Sequence, residues 1–322
     1  MKSENTLAVI QAQVAARKRG NMIIDGLTRT CGLIGNPVEH TMSPAIHNTL
    51  AEAMGENLVY VPFHVAEDNV EEAVKGAYAL NLLGCNVTVP YKSRVIPYLK
   101  ELDPLAERIG AVNTLVRTED GFKGYNTDMP GLYRAMCEDG VKIAGEKVLI
   151  LGAGGVARAV AMLLAQKEAE EILILNRTLE KAERIAGEVN GFAGRKAVRA
   201  FELDAYKSLP GEERYLVIQA TSQGMFPNVN DVIIDDPEFY RKAHTGYDLV
   251  FNPARTRFMS LVEKNGGRAF GGLKMLLFQG IVAYELWTGT QVEGELVEKA
   301  YFEMLRAMGL KIDGIRGLNG GE

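Results

Sequence analysis

Cysteine is scarce in this chain: Cys31, Cys85 and Cys137 are three among 322 residues, far apart and without a C-x-x-C pair. That excludes a disulfide-stapled fold and predicts reduced, buried thiols in a cytoplasmic protein. Histidine is scarce too. His40, His47, His64 and His244 have no metal-ligand spacing with acids or cysteines, so no metal is expected. No apolar run reaches the roughly 18 residues of a membrane span. Excess positive charge is also lacking: a net charge of −5 and a pI near 5.6 give no general attraction to nucleic acid or anionic membrane. No nucleic-acid or membrane partner is therefore expected.

What the chain does have is glycine, 34 residues or about 11% against a usual 7% or so. The glycines gather in short clusters between apolar runs, as expected where a backbone turns sharply or lies close to a ligand. The length predicts two domains. The first twenty residues hold Lys2, Arg17, Lys18 and Arg19 against Glu4, a local charge of +3 that leaves −8 for the remainder. Leu7–Ala16 (LAVIQAQVAA) reads as a short amphipathic helix, and residues 1–28 as a helical extension that covers the body or a partner. A transit peptide is the alternative.

From Arg29 the pattern becomes strand, glycine turn, helix. Thr30–Gly35 is a short apolar strand broken by Asn36-Pro37. Ser43-Pro44 opens a helix to Met54, with serine at the N-cap and proline at the first helical position. Leu58–Val65, Gly84–Val89, Ala111–Val116 and Gly121–Tyr125 read as strands, and Val70–Leu80 as a helix. This alternation predicts an α/β domain with a mostly parallel sheet.

A second α/β unit begins near Lys147, with strands at Val148–Leu151, Glu171–Leu175, Leu216–Ala220 and Tyr247–Val250. After Gly271-Gly272 come long helices, Met275–Trp287 and Glu293–Met308, expected to pack back on the first domain. The predicted division is therefore 29–130 with 273–322 as a substrate-binding catalytic domain, and 131–272 as a Rossmann-like nucleotide domain.

Gly152-x-Gly154-x-x-Ala157 directly follows a strand and opens a helix. The first glycine permits a tight turn, and the second lets the backbone approach a pyrophosphate. A small third residue allows close helix–strand packing. At the tip of the next strand an NAD site usually carries Asp or Glu for the ribose 2′-hydroxyl. This chain offers Asn176-Arg177-Thr178 there, with Lys181 one turn later. A guanidinium binds a 2′-phosphate bidentately where a carboxylate would repel it, so NADP(H) is expected over NAD(H).

The first domain sets polar residues at the ends of apolar strands: Thr41 and Ser43 beside the Pro44 helix start, Asn86, Thr88 and Lys92 along GCNVTVPYK, then Asn113, then Asn126-Thr127-Asp128. In an open α/β sheet, ligands bind beyond the carboxyl ends of strands. Singly, each residue has a bland reading as a cap, a turn or a snorkelling lysine.

Together, Gly35-Asn36-Pro37 with His40-Thr41-Met42-Ser43-Pro44 and Asn86-Val87-Thr88-Val89-Pro90-Tyr91-Lys92 resemble the shikimate dehydrogenase family. So do Gly110-Ala111-Val112-Asn113-Thr114, Asn126-Thr127-Asp128, Gly152-Ala153-Gly154-Gly155, Asn176-Arg177-Thr178, Ala220-Thr221-Ser222, and Gly271-Gly272-Leu273 through Gln279. The resemblance covers about residues 30 to 290.

It implies reversible reduction of 3-dehydroshikimate to shikimate with NADPH, a step of aromatic amino-acid and chorismate biosynthesis. It implies Lys92 and Asp128 as the catalytic pair. Thr41 and Ser43 match hydroxyls that bind the substrate carboxylate, and Tyr247 matches a third. Asn86, Thr88, Asn113 and Gln279 match residues around the ring hydroxyls. The cofactor site falls on Gly152, Ala153, Gly154, Gly155, Val156, Asn176, Arg177, Thr178, Lys181, Thr221, Ser222, Gly272 and Met275. One departure stands out: Thr41 occupies a position that is commonly Ser in the family, and its extra methyl tightens the pocket and bears on shikimate against quinate. The alternatives are a quinate/shikimate dehydrogenase using NAD or NADP, and a non-catalytic binding or regulatory member, which would typically have lost the lysine or aspartate.

Overall fold

Residues 24–310 are described by the computed structural model. The expected amphipathic helix at Leu7–Ala16 lies outside the described residues. The last part of the expected extension, residues 24–28, is a turn and not a helix: Thr28 N–H donates to the Asp25 carbonyl, and Thr28 Oγ1 donates to Asn57 Oδ1 at 2.8 Å. The chain forms two compact units, one up to Pro130 and again from Gln279, the other Gly131–Phe278.

The first unit runs β1 (Arg29–Gly35), α1 (Ser43–Met54), β2 (Leu58–His64), α2 (Val70–Ala79), β3 (Gly84–Val87), β4 (Glu101–Leu102), α3 (Pro104–Ile109), β5 (Thr114–Arg117) and β6 (Phe122–Tyr125). Its sheet has the order β2-β1-β3-β5-β6-β4. β5 pairs antiparallel to both β3 and β6, while the remaining pairs are parallel. One reversed strand therefore interrupts an otherwise parallel sheet. Ile34, Cys85, Val87, Leu115 and Phe122 join one buried core. At about 1.5–3 kcal/mol per large side chain, such burial outweighs the modest strand propensity of these short segments.

Helix α4 (Asp128–Glu138) leads into the second unit: β7 (Lys147–Leu151), α5 (Gly155–Gln166), β8 (Glu171–Asn176), α6 (Leu179–Ala193), β9 (Val198–Glu202), β10 (Tyr215–Gln219), α7 (Pro237–Arg241), β11 (Ala243–Asp248), α8 (Arg257–Lys264) and β12 (Arg268–Phe270). All six strands are parallel, in the order β12-β11-β10-β7-β8-β9. This is the doubly wound arrangement, and its order reverses between β7 and β10, the position at which such sheets bind ligands. β11 lies earlier than the apolar run Tyr247–Val250 suggests. Its segment AHTGYD is buried at nearly every position, and a side chain at Gly246 would meet Val262 and Phe258 of α8. Close helix packing, not apolar patterning, fixes that strand.

Two helices follow, α9 (Leu273–Thr288) and α10 (Glu295–Ala307). The chain rejoins the first unit at Gln279, inside α9 and not at its start. α10 packs on α1. Trp287 of α9 is buried and its Nε1–H donates to the Leu115 carbonyl at 2.9 Å. A Cβ at Gly84 would overlap that indole, so the glycine opening β3 admits the tryptophan over the sheet. No helix among the described residues is long and apolar enough to cross a membrane.

Candidate active site

Because β5 is reversed, its first residue lies at the same end of the sheet as the last residues of β1, β3 and β6. That topology gathers Asn86, Asn113 and Asp128, which are far apart in sequence. Lys92 Nζ donates to Asp128 Oδ2 at 2.7 Å, and Asn113 Nδ2 donates to Asp128 Oδ1 at 2.9 Å. Asn113 is itself fixed: its Oδ1 accepts from Thr127 N–H at 2.7 Å and from the hydroxyls of Thr114 and Thr127. Asn86 donates to the Asn113 carbonyl and to Thr114 Oγ1, and accepts from Tyr60 OH at 2.8 Å. Asn86 and Asn113 are buried, whereas the Lys92 side chain is 34% exposed and Asp128 20%. The pair thus stands at the mouth of a rigid polar network. An ammonium has three N–H donors, and the Asp128 contact uses one, leaving others for a ligand oxygen.

The helix start differs from its sequence reading. Met42, not Ser43, is the N-cap of α1, and Thr41 Oγ1 accepts from Ser43 N–H at 3.2 Å. A hydroxyl that accepts from the backbone keeps its own proton to donate. Thr41 is half-buried and Ser43 buried. Thr88 follows β3 and its methyl sits where a Cβ on Gly35 would fall. Gln279 is carried by the turn of α9 whose Gly280 lies against Ile46 and His47 of α1. Tyr247 falls in the second unit, buried on β11, and its hydroxyl donates to Asp139 at 3.2 Å. Asp139 also pairs with Lys274 at 2.6 Å, and burial pushes its carboxyl up against the opposing pull of that lysine. Tyr247 thus belongs to an internal ion-pair cluster.

The second unit aligns its strand ends in one row: Leu151 pairs with Leu175 and Gln219, and Gln219 with Asp248. Gly152, Asn176 and Thr221 therefore share an edge. Gly152 has φ +108°, and a Cβ there would come 2.6 Å from Thr221 Cγ2. Gly154, Gly155 and Val156 are exposed at the start of α5, while Ala157 is fully buried against the sheet. The first amides of a helix have no intrahelical acceptor, so this turn can hold a diphosphate. Ala153 is half-buried between them. Arg177, Thr178 and Lys181 are exposed beyond β8, and Asn176 Nδ2 donates to the Thr178 carbonyl at 2.8 Å. Ser222 is exposed beside Thr221, and Met275 is half-buried. Gly272 is buried, and a Cβ there would come 2.5 Å from the Leu249 carbonyl. β9, which has no clear apolar signal, adds exposed Glu202 as the register partner of Asn176.

Residues 33–115 match the shikimate dehydrogenase substrate binding domain, and residues 135–224 match the shikimate / quinate 5-dehydrogenase family. A shikimate dehydrogenase (NADP(+)) of Moorella thermoacetica is 42% identical over 281 residues, covering 87% of this chain and 95% of that protein. The chain belongs to the shikimate dehydrogenase family. A crystal structure of a shikimate dehydrogenase in complex with NADP+ is similar at 37% identity and a TM-score of 0.79, covering 88% of this chain and 97% of that one. A Thermus thermophilus shikimate 5-dehydrogenase in complex with NADP(H) and shikimate is similar at 30% identity and a TM-score of 0.75, covering 87% and 100%.

This shikimate dehydrogenase family chain also holds a group that sequence patterning missed. His47 is fully buried on α1, stacked on Tyr60 at 4.3 Å between centroids and tilted against Trp287 at 5.1 Å. Neither ring nitrogen has a hydrogen-bond partner, and the Tyr284 hydroxyl nearby has none either. Burial pushes the His47 pKa down from 6.5 to about 3. The native state therefore favours the neutral ring, and the stability this gives is complete above the ordinary value and lost as pH falls toward 3. Asp248 acts oppositely, since burial raises its carboxyl from 3.8 to about 6. His47→Phe removes only the first effect. The difference in unfolding free energy, wild type minus His47→Phe, should fall by about 1.4 kcal/mol per pH unit between roughly pH 6 and pH 4. Parallel pH profiles for the two proteins would contradict it.

Proposed function

We propose that this chain catalyses the reversible reduction of 3-dehydroshikimate to shikimate with NADPH, as a cytoplasmic monomer or homodimer. The first unit binds the substrate and the second the nucleotide. The observation that carries the reading is the Lys92–Asp128 pair, held by Asn113 at the sheet end from which Thr41 and Ser43 also emerge. NADP(H) fits the second unit, where an exposed glycine turn opens α5 and a basic tip, Arg177 with Lys181, follows β8. The three free thiols suit a reducing compartment.

Bound NADPH supplies the hydride that reduces the C3 carbonyl. Negative charge then develops on the carbonyl oxygen, and the Lys92 ammonium donates to it and stabilises it. Asp128 keeps that ammonium in place and accepts from a substrate hydroxyl. Thr41 and Ser43 grip the carboxylate. Asn113 has one amide N–H beyond its bond to Asp128, and Asn86 has an acceptor lone pair beyond Tyr60, so each addresses a ring hydroxyl with opposite polarity. Thr88 and Gln279 complete this set. Gly152 to Val156 hold the diphosphate, Arg177 the 2′-phosphate, and Asn176, Thr178 and Lys181 the adenosine side. Thr221, Ser222, Gly272 and Met275 would complete the cofactor site.

The test is a four-way assay of reduced-nicotinamide absorbance, with shikimate or quinate offered against NADP+ or NAD+. Turnover should be highest with shikimate and NADP+, and Arg177→Ala should cut the NADP+ preference by roughly tenfold or more, as expected for a charge-assisted contact of about 1.5–3 kcal/mol. Faster turnover with quinate, or binding of both ligands without turnover, would overturn the assignment.

A further inference from the structure

We propose that Gln219 and Asp248 are positioning residues of the dinucleotide site, acting together to seat Thr221 against the glycine turn. This rests on the nucleotide reading of the second unit. Both side chains are buried at the ends of adjacent strands, where Gln219 of β10 pairs with Asp248 of β11. Asp248 accepts three bonds from neutral donors: Gln219 Nε2 at 3.2 Å, Val250 N–H at 3.0 Å and Thr256 Oγ1 at 2.6 Å. A carboxylate has no proton to give. It therefore accepts only the amino end of the Gln219 amide and fixes which way that amide faces.

The consequence reaches the glycine turn in two steps. With its amino group committed to Asp248 and to the Gln223 carbonyl at 3.0 Å, Gln219 presents Oε1 to Thr221. That oxygen accepts both the N–H and the hydroxyl of Thr221, each at 2.6 Å. Every hydrogen-bonding position of the Gln219 amide is then used. Thr221 Oγ1 accepts in turn from Gln223 N–H at 3.1 Å, which closes the loop on itself. The remaining group of Thr221, its methyl, lies 2.6 Å from where a Gly152 Cβ would be. A flipped Gln219 amide would set N–H against N–H and push this loop off the turn. Burial raises the Asp248 carboxyl to about 6, so near pH 7 it remains mainly the acceptor-only form that this arrangement needs.

Equilibrium binding of NADP+ and NAD+ to the full-length wild type, Gln219→Met, Asp248→Leu and Asp248→Asn tests the proposal. Methionine keeps length and packing but accepts nothing from Thr221, so both nucleotides should bind roughly tenfold more weakly, the cost of two lost bonds. The factor should be the same for NADP+ and NAD+, because the glycine turn serves the part they share. Asp248→Leu should behave likewise, while Asp248→Asn, which can turn either end of its amide to Gln219 and so fixes it less firmly, should weaken both nucleotides by a smaller factor. The Michaelis constant for shikimate should not move in any variant. A purely structural role would lower the melting temperature and leave both nucleotide affinities unchanged in the folded fraction, and that result overturns the proposal. A wild-type protein that binds neither nucleotide would overturn the nucleotide reading itself.

Discussion

Lys92→Ala is expected to lower kcat by roughly 10²–10⁴-fold, the usual worth of general acid–base assistance. The size follows from where the ammonium stands. Its Nζ is 2.7 Å from Asp128 Oδ2, while a third of the side chain remains exposed. As a mere ion pair it contributes little, because a pair this open to solvent is worth about 0–1 kcal/mol. A kcat loss of the stated size is about 3–5 kcal/mol of barrier, well beyond that. The two roles therefore separate by magnitude. The variant should melt within a few degrees of wild type, since Asn113 still holds Asp128. If, as proposed, Thr41 and Ser43 grip the carboxylate in ground state and transition state alike, their loss should instead register in KM. Near-normal kcat in Lys92→Ala would contradict the assignment.

Gly152→Ala is expected to weaken NADP(H) binding by roughly a hundredfold, through two costs that add. The backbone at φ +108° lies in a region that residues with a Cβ rarely adopt. The new methyl would also meet Thr221 Cγ2 at 2.6 Å and the Ala220 carbonyl at 3.2 Å, both closer than ordinary contact. Displacing Thr221 also disturbs its bonds to Gln219. Gly154→Ala makes an informative comparison, because a Cβ there meets nothing within 4 Å of the protein and φ is −90°. Its effect should come only from crowding the bound diphosphate, so the melting temperature should hold. Nucleotide titrations on both variants check this, and equal wild-type affinity in Gly152→Ala would contradict it.

The glycine turn was legible because its chemistry is local: a strand, two glycines and a buried Ala157 in one short segment. The ends of β1, β3 and β6 were legible for a similar reason, since polar residues closing apolar runs are conspicuous. Partnerships across the sheet were not. Nothing near Asn113 in sequence announces that it holds Asp128, because the bond depends on β5 running backward beside β6. Ser43 reads as an N-cap by residue type, yet Met42 takes that position and the Thr41 hydroxyl bonds Ser43 N–H. Tyr247 matches a hydroxyl of the family by resemblance alone, and its bond to Asp139, more than a hundred residues away, has no sequence signal. His47 hides for a different reason: in an apolar helix face, one histidine reads as ordinary core. The edge strands β4, β9 and β12 are two to five residues long, and pairing sets them more than intrinsic preference.

Isotope transfer is the sharpest test of hydride delivery to the C3 carbonyl with Lys92 assisting at its oxygen. The protein would be given 3-dehydroshikimate and NADPH carrying deuterium at both positions of nicotinamide C4, and the product examined by mass and by proton resonance. The expected product is shikimate bearing a single deuterium at C3, formed far more slowly by Lys92→Ala. Deuterium at another carbon, unlabelled product, or equal rates from the two proteins would contradict it.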